Sequence, residues 1–356
     1  MSREKKVLVV GTGTIGEPLI GLLSAYGKEL GIDEVMFHKR TPLLTDRSKV
    51  RDLIDRGAKL VTDSDRMDAF EDLEVGTPVM NTEQAIEDAS VVIDCTPAGN
   101  KMKEELYNDF TANTELFVAQ GSEFGFGKMY ARGINDRALI HGEDRFIQVV
   151  SCNTHNISVL LETLALADGQ DNLEQGRFVC IRRSNDLSQD TGFLPSPEVG
   201  KHKDPEFGTH HARDAYHLFK TLGLELDLFS SALKLNTQYM HIIQFHLRLK
   251  KKTTMDTLLE RIHENDRIAV TYKKTANSVF SFGRDHGYFG RILNQTVIPT
   301  ETLALIEDGH EVVGYCFTPQ DGNSILSSIA ASIWALYPDD YEKRIQSLDH
   351  WFFDEV

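Results

Sequence analysis

The sequence predicts an α/β chain in two parts: an N-terminal doubly wound parallel sheet, then an α+β domain with a mixed or antiparallel sheet. Three observations carry this. Over residues 1–150, continuous apolar runs alternate with segments of helical period, the pattern of strands buried on both faces by crossover helices. A G-x-G-x-x-G stands at the turn between the first run and the first helical segment. Beyond residue 150 the strand-like segments lengthen, and one of them partly alternates in polarity.

Taken in order, KKVLVV is the first strand and GEPLIGLLSAYGKEL the first helix, with apolar residues at 3.6 spacing. EVMFHKR reads as the second strand, and DRSKVRDLIDRGAKL as a helix closing on Gly57. The helix TEQAIEDA and the strands SVVIDC and ELFVAQG complete the first part. In VVSCNTHNISVLLETL an apolar pair meets an amphipathic helix at Cys152. After it, GRFVCIRRS, ALKLNTQYMHIIQFHLRLK, DRIAVTYKK, TETLALIED and HEVVGYCF read as strands. Helices NISVLLETLALAD, ARDAYHLFKTLG and TMDTLLERIHEN interleave with them. The loop over residues 185–211 is long for a compact domain, and its length points to a functional role. A last helix, NSILSSIAASIWALY, precedes a tail without a readable pattern. The expected domains are residues 1–150 for nucleotide binding and 151–322 for catalysis. Residues 323–356 form a helix and tail expected to pack back on the first domain.

Composition narrows the function. With 356 residues there is chain for about two cores. A formal charge of −16 lacks the basic footprint of a nucleic-acid binder, and an anionic substrate would need a locally cationic site. The four cysteines are widely separated, without metal-ligand spacing, which suits reduced thiols. No stretch resembles a signal peptide or a membrane span. The expectation is a cytoplasmic enzyme with no metal and no membrane partner.

The glycine motif sits in the context its mechanism demands, after a strand and opening a helix. Gly11 is expected to make the tight turn, Gly13 to admit a pyrophosphate, and Gly16 to let helix and strand pack closely, with Thr14 and Ile15 between the last two. At the end of the second strand, where an NAD-selective domain presents a carboxylate to the ribose, stand His38, Lys39 and Arg40. A solvated loop is the bland alternative; the cations favour NADP, with NAD possible. Thr96 and Pro97, in DCTPAGN at a strand's carboxyl end, are expected to line the nicotinamide side.

For Cys152 two readings compete. A free cysteine is often just a small buried hydrophobe. At a helix N-terminus it can instead be a thiolate nucleophile, since exposed N–H groups lower the thiol pKa. Beside a nicotinamide domain, that nucleophile suggests covalent aldehyde oxidation through a thioester.

The arrangement resembles the archaeal-type (class II) phosphorylating glyceraldehyde-3-phosphate dehydrogenases over nearly the whole chain. The most specific piece is VVSCNT. Supporting pieces, in matching order, are GTGTIG, KRTPLLTDRSKVRDLIDRGAKL, DCTPAG, AQGSE, IRRSND, THHARD, TQYMH, FGRDHGYFGR and TPQDGN. The resemblance implies Cys152 as the nucleophile, and Ser151 and Asn153 at the aldehyde end. It implies Arg182 and Arg183 at substrate and cofactor phosphates, and His210 and His211 at substrate or inorganic phosphate. His241, in a T-x-x-M-H pattern beginning at Thr237, becomes the base. Gly121, Ser122 and Gln320 become cofactor contacts. It also implies a homo-oligomer, as a tetramer, acting on a phosphorylated aldehyde in glycolysis or gluconeogenesis.

Read from the residues alone, His241 in a strand could equally be a satisfied core histidine. His210 and His211 could be surface residues. Adjacent arginines at a strand end suit phosphate oxygens. His155, three residues after the thiol, reads as tuning or packing. The chain departs from the family pattern at Ser122 and Phe124 in Q-G-G-E-K, at Ala212 and Arg213 in H-H-G-P-D, at Gln238 and Ile243 around the base, and at Pro319. The altered phosphate-side shell leaves two alternatives open: a related semialdehyde or acyl dehydrogenase, and a non-catalytic NADP-binding paralogue.

Overall fold

Strand β1 (Lys6–Val10) is buried from Val7 through Val10, on both faces. That is why its sequence is continuously apolar rather than alternating. It is the centre of a sheet in a computed structural model that describes residues 3–121, 123–167, 171–187, 189, 191–319 and 321–356. The chain divides into two units: residues 1–130, 139–149 and 325–349, and residues 131–138, 150–324 and 350–356.

In the first unit β2 (Glu34–His38), β3 (Lys59–Thr62) and β4 (Met80–Asn81) extend the sheet on one side of β1. β5 (Val91–Asp94), β6 (Leu116–Gln120), β7 (Lys128–Tyr130) and β8 (Phe146–Val149) extend it on the other. The order is β4-β3-β2-β1-β5-β6-β8-β7 and every pairing is parallel. Strand order therefore reverses between β1 and β5, opening the crevice at their carboxyl ends where such sheets take ligands. The expected first helix is interrupted. It runs Gly16–Ala25, breaks at Tyr26, and resumes as Gly27–Leu30 until Gly31 turns left-handed at φ 78°.

The second unit holds a mixed sheet. Its strands are β9 (Leu173–Arg182), β10 (Glu198–Val199), β11 (Leu228–Lys234), β12 (His241–Leu249), β13 (Ile268–Thr271), β14 (Thr296–Pro299), β15 (Ala304–Ile306) and β16 (Glu311–Thr318). Their order is β10-β11-β9-β12-β16-β14-β13, with β15 on β16. The long strand expected over residues 232–250 is two strands on opposite sides of β9. Polar residues Asn236, Thr237 and Gln238 break the run. The connecting segment wraps the end of β9, where Leu235 N–H donates to the Arg182 carbonyl (2.7 Å) and Ser184 N–H to that of Thr237 (2.8 Å).

Three further expectations are corrected. The helix Cys152–Leu164 is not amphipathic: Asn153 through Leu161, Thr163 and Leu164 are all buried. Helix His210–Lys220 and strands β9, β12, β14 and β16 of the same unit pack around it. A helix at Ala276–His286 went unread, because glycine and aromatic residues blur its period. The patternless tail is ordered, with a helix at Tyr341–Ile345 and a backbone bond from Val356 N–H to Val270. No helix among the described residues is long and apolar enough to cross a membrane.

Candidate active site

The candidate nucleotide site lies in the first unit. Gly11 takes φ +95°, a conformation that excludes side chains, and its N–H reaches the His38 carbonyl (3.2 Å). Gly13 is exposed, with open space where a Cβ would stand. At Gly16 a Cβ would overlap the Gly11 carbonyl and touch the Cys95 side chain just past β5, so this glycine lets the loop and the helix start close on the strand ends. Thr14 and Ile15 are partly exposed, Ile15 immediately preceding the helix. A bare backbone cradle at a helix start fits a pyrophosphate. At the end of β5, Thr96 is fixed by Asp94, whose carboxylate accepts its N–H (2.8 Å), its hydroxyl (2.7 Å) and the Tyr107 hydroxyl (2.7 Å). Gly121 (φ +72°) follows β6 and donates to the Val149 carbonyl (2.9 Å). Ser122 and Gln320 lie outside the described residues.

The sequence reading found no carboxylate beside Lys39 and Arg40. The fold supplies two. Lys39 Nζ lies 2.6 Å from Asp46, which also takes Lys49 Nζ at 3.3 Å. Lys49 reaches back to the Thr12 carbonyl of the glycine loop (3.3 Å). Against the upward push of partial burial, Lys39 and Lys49 hold Asp46 below its usual range. Arg40 is exposed and lies 3.5 Å from Asp63, whose other oxygen meets His38 Nε2 (3.0 Å).

The thiol cluster lies in the second unit, where three strand ends and two helix starts meet. β12 runs antiparallel to β9 and β16, so His241 begins its strand opposite Thr318 and beside the Arg182–Arg183 end of β9. Thr318 Oγ1 donates to Asn153 Oδ1 (3.0 Å), tying the residue opposite His241 to the residue after Cys152. Ser151 caps the helix by accepting Thr154 N–H (3.3 Å), and its hydroxyl lies 3.4 Å from His211 Nδ1. The Cys152 carbonyl accepts from Asn156 (2.9 Å) and Asn323 (3.1 Å). Thr209 caps the helix His210–Lys220 by accepting His211 N–H (3.4 Å). Ser151, Cys152, Asn153, Arg182, Arg183, His210, His211 and His241 are thus brought together. Thr237 gives only its carbonyl to Ser184, and the residue is exposed.

Electrostatics revise the sequence reading of the thiol. A helix start was expected to depress its pKa. Burial and the charge of Asp321 instead push Cys152 up to about 12, outweighing Arg183, Arg182 and the Asn153 N–H. The residue nonetheless keeps partial exposure. His241 is held well below the usual histidine range by burial, then by Arg183 and Arg182. Its Nδ1 accepts the Arg183 N–H (3.0 Å), so the neutral ring carries its proton on Nε2 and meets the site as a donor. Burial, with Arg182, Arg213 and Lys203, lowers His210 to about 4. Burial, with His210, Arg182 and His241, takes His211 well below its ordinary value. At neutral pH the positive charge here belongs to the arginines and Lys203. His211 Nε2 and Arg182 Nε are buried without a hydrogen-bond partner. His155 is fully buried and bonds the Ser151 carbonyl through Nδ1 (3.1 Å), the placement of a packing residue.

Sequence reasoning missed the carboxylates. Arg183 is buried, with Nη2 2.6 Å from Asp186 and 3.3 Å from Asp321. Both acids lie in quoted segments, IRRSND and TPQDGN, but nothing in their spacing links them to one guanidinium. Asp46 and Asp63 were missed for the same reason.

No family model matches the chain. Curated relatives do. A glyceraldehyde-3-phosphate dehydrogenase of Sulfolobus acidocaldarius is 25% identical over 318 residues, 86% of this chain and 85% of the relative. One from Methanopyrus kandleri is 28% identical over 323 residues, 85% and 84% of the two chains. One from Methanococcoides burtonii is 28% identical over 273 residues, 74% and 73%.

Proposed function

We propose that the chain, by its likeness to archaeal glyceraldehyde-3-phosphate dehydrogenases over about three quarters or more of its length, is a phosphorylating, NAD(P)-dependent aldehyde dehydrogenase of that family. Its substrate is glyceraldehyde 3-phosphate, its preferred cofactor NADP. It acts in the cytoplasm as a homo-oligomer. The observation that carries the reading is the gathering of Cys152, His241 and Arg182 with His210 and His211 at the ends of β9 and β12, where two buried polar atoms lack partners. An oxygen-rich anion is the ligand such atoms accept.

In this reading the partly exposed Cys152 thiol releases its proton to solvent, the resulting thiolate adds to the aldehyde carbon, and the carbonyl oxygen becomes an alkoxide. His241 Nε2–H donates to that oxygen, where charge develops. A nicotinamide dinucleotide on the glycine loop would supply the hydride acceptor, leaving the acyl group on sulfur as a thioester. Arg182, with neutral His210 and His211, holds a phosphate whose oxygen attacks the thioester; the thiolate leaves and an acyl phosphate is released. Arg182 supplies the charge and the histidines supply directed hydrogen bonds.

The test is a panel of phosphorylated and unphosphorylated aldehydes, assayed with NADP or NAD and with or without inorganic phosphate. Phosphate-dependent reduction of NADP by glyceraldehyde 3-phosphate is expected, and its loss in Cys152→Ser with NADP binding retained. Turnover of Cys152→Ser within tenfold of the parent would overturn the nucleophile. Preference for an unphosphorylated aldehyde would overturn the substrate.

A further inference from the structure

Arg183 is among the most enclosed charges of the second unit, and it holds two carboxylates where one would neutralise it. Asp186, nearly half exposed, is the closer partner at 2.6 Å. Asp321 is buried, at 3.3 Å, and adopts φ +57°, a conformation uncommon for a residue with a side chain. Its segment is stitched to the thiol from both sides. Thr318 bonds Asn153 (3.0 Å), and Asn323 bonds the Cys152 carbonyl (3.1 Å). Arg183 in turn donates its backbone N–H to His241.

We propose that Asp321 is a positioning residue for the reaction centre: its buried carboxylate anchors Arg183 beside Cys152 and His241 and offsets the guanidinium charge that would otherwise favour the thiolate at rest. The inference rests on the reading of Cys152 as the nucleophile. The groups that face the thiol are Asp321, Arg183, Arg182 and the Cys180 thiol; those that face His241 are Arg183, Arg182 and His211. Among the charged groups, Asp321 weighs most on Cys152, and Asp186 is not among them. Arg182 and Arg183 bring two positive charges to this end of β9, and Asp186 and Asp321 offset them. Removing the buried carboxylate leaves the site net cationic, the condition that favours a thiolate.

Alkylation of the full-length protein by iodoacetamide, followed peptide by peptide from about pH 6 to 10, tests this without any aldehyde turnover. Asp321→Asn keeps the shape and an acceptor but removes the charge. Cys152 should then alkylate about tenfold faster near pH 8, the effect of one pKa unit. Asp321→Glu should restore the parent profile, and Asp186→Asn should leave it within about twofold. An unchanged or slower rate in Asp321→Asn overturns the proposal, as does equal acceleration in Asp186→Asn. Buried Cys180 and Cys316 report unfolding. Should they label together with Cys152 in Asp321→Asn, Asp321→Ser, a smaller neutral replacement, is read in its place. Faster Cys152 labelling there upholds the restraint; an unchanged or slower rate refutes it. Restraint of labelling without aldehyde oxidation would sink the proposed function and leave this inference standing.

Discussion

Lys39→Ala should weaken NADP about tenfold and leave NAD nearly unchanged, while Arg40→Ala should cost no more than about threefold. The difference comes from burial. Lys39 is only 15% exposed and already makes a 2.6 Å ion pair with Asp46. Arg40 is 76% exposed and lies 3.5 Å from Asp63. A hydrogen bond to a charged group contributes roughly 1.5–3 kcal/mol, whereas an exposed ion pair contributes about 0–1 kcal/mol. Because Lys39 must share its ammonium between Asp46 and a ribose 2′-phosphate, its net contribution sits near the lower bound, about 1.5 kcal/mol, or tenfold. Fluorescence titration with NADPH and NADH, at low salt and at about 0.5 M, measures both affinities; added salt should weaken NADPH the more. A larger loss in Arg40→Ala than in Lys39→Ala would refute the burial argument. Equal loss of both cofactors would refute the 2′-phosphate contact itself.

His241→Asn should lower kcat by roughly 10²–10³, the effect of removing one donor at a developing oxyanion. His155→Asn should lower thermal stability and leave kcat close to the parent, and the reverse pattern would mean the two histidines have been assigned the wrong way round. Arg182→Ala and His211→Ala should raise KM for glyceraldehyde 3-phosphate or inorganic phosphate more than for an unphosphorylated aldehyde; equal losses would show that neither holds phosphate. Asp214 is fully buried, and burial, against Arg213, pushes its carboxyl up to about 6. Between about pH 4 and 6 the folded state binds a proton that the unfolded chain releases, so this group's contribution falls as pH rises and costs about 2–3 kcal/mol above pH 6. Urea unfolding should therefore show Asp214→Asn stabilised at pH 7 and little changed at pH 4. An equal gain at both pH values would show that charge is not the cause.

The sequence by itself determined what depends on local backbone and on period. Gly11 and Gly13 meet conformational demands internal to one turn, and the apolar runs of β1, β5 and β6 mark a sheet covered on both faces. The helices after Cys152 and His211 were legible from period, although their quoted starts, Asn156 and Ala212, fell inside the observed ones, which Ser151 and Thr209 cap. The order of motifs around Cys152 pointed to the chemistry for the same reason: the nucleophile and its cap are neighbours in the chain. Tertiary structure decided whatever depends on partners distant in sequence. Residues 232–250 look like one strand because polarity alternates along them, but whether β11 and β12 join or flank β9 is settled by pairing. The helix Cys152–Leu164 is buried on all sides only because elements from residue 173 to 318 close around it. Charge follows the same rule. Asp46 reaches Lys39 across 7 positions, Asp63 reaches Arg40 across 23, and Asp321 reaches Arg183 across 138. Electrostatic energy depends on distance and burial in space, which a linear sequence does not carry. The sequence could therefore name the thiol, and only the fold could set its protonation.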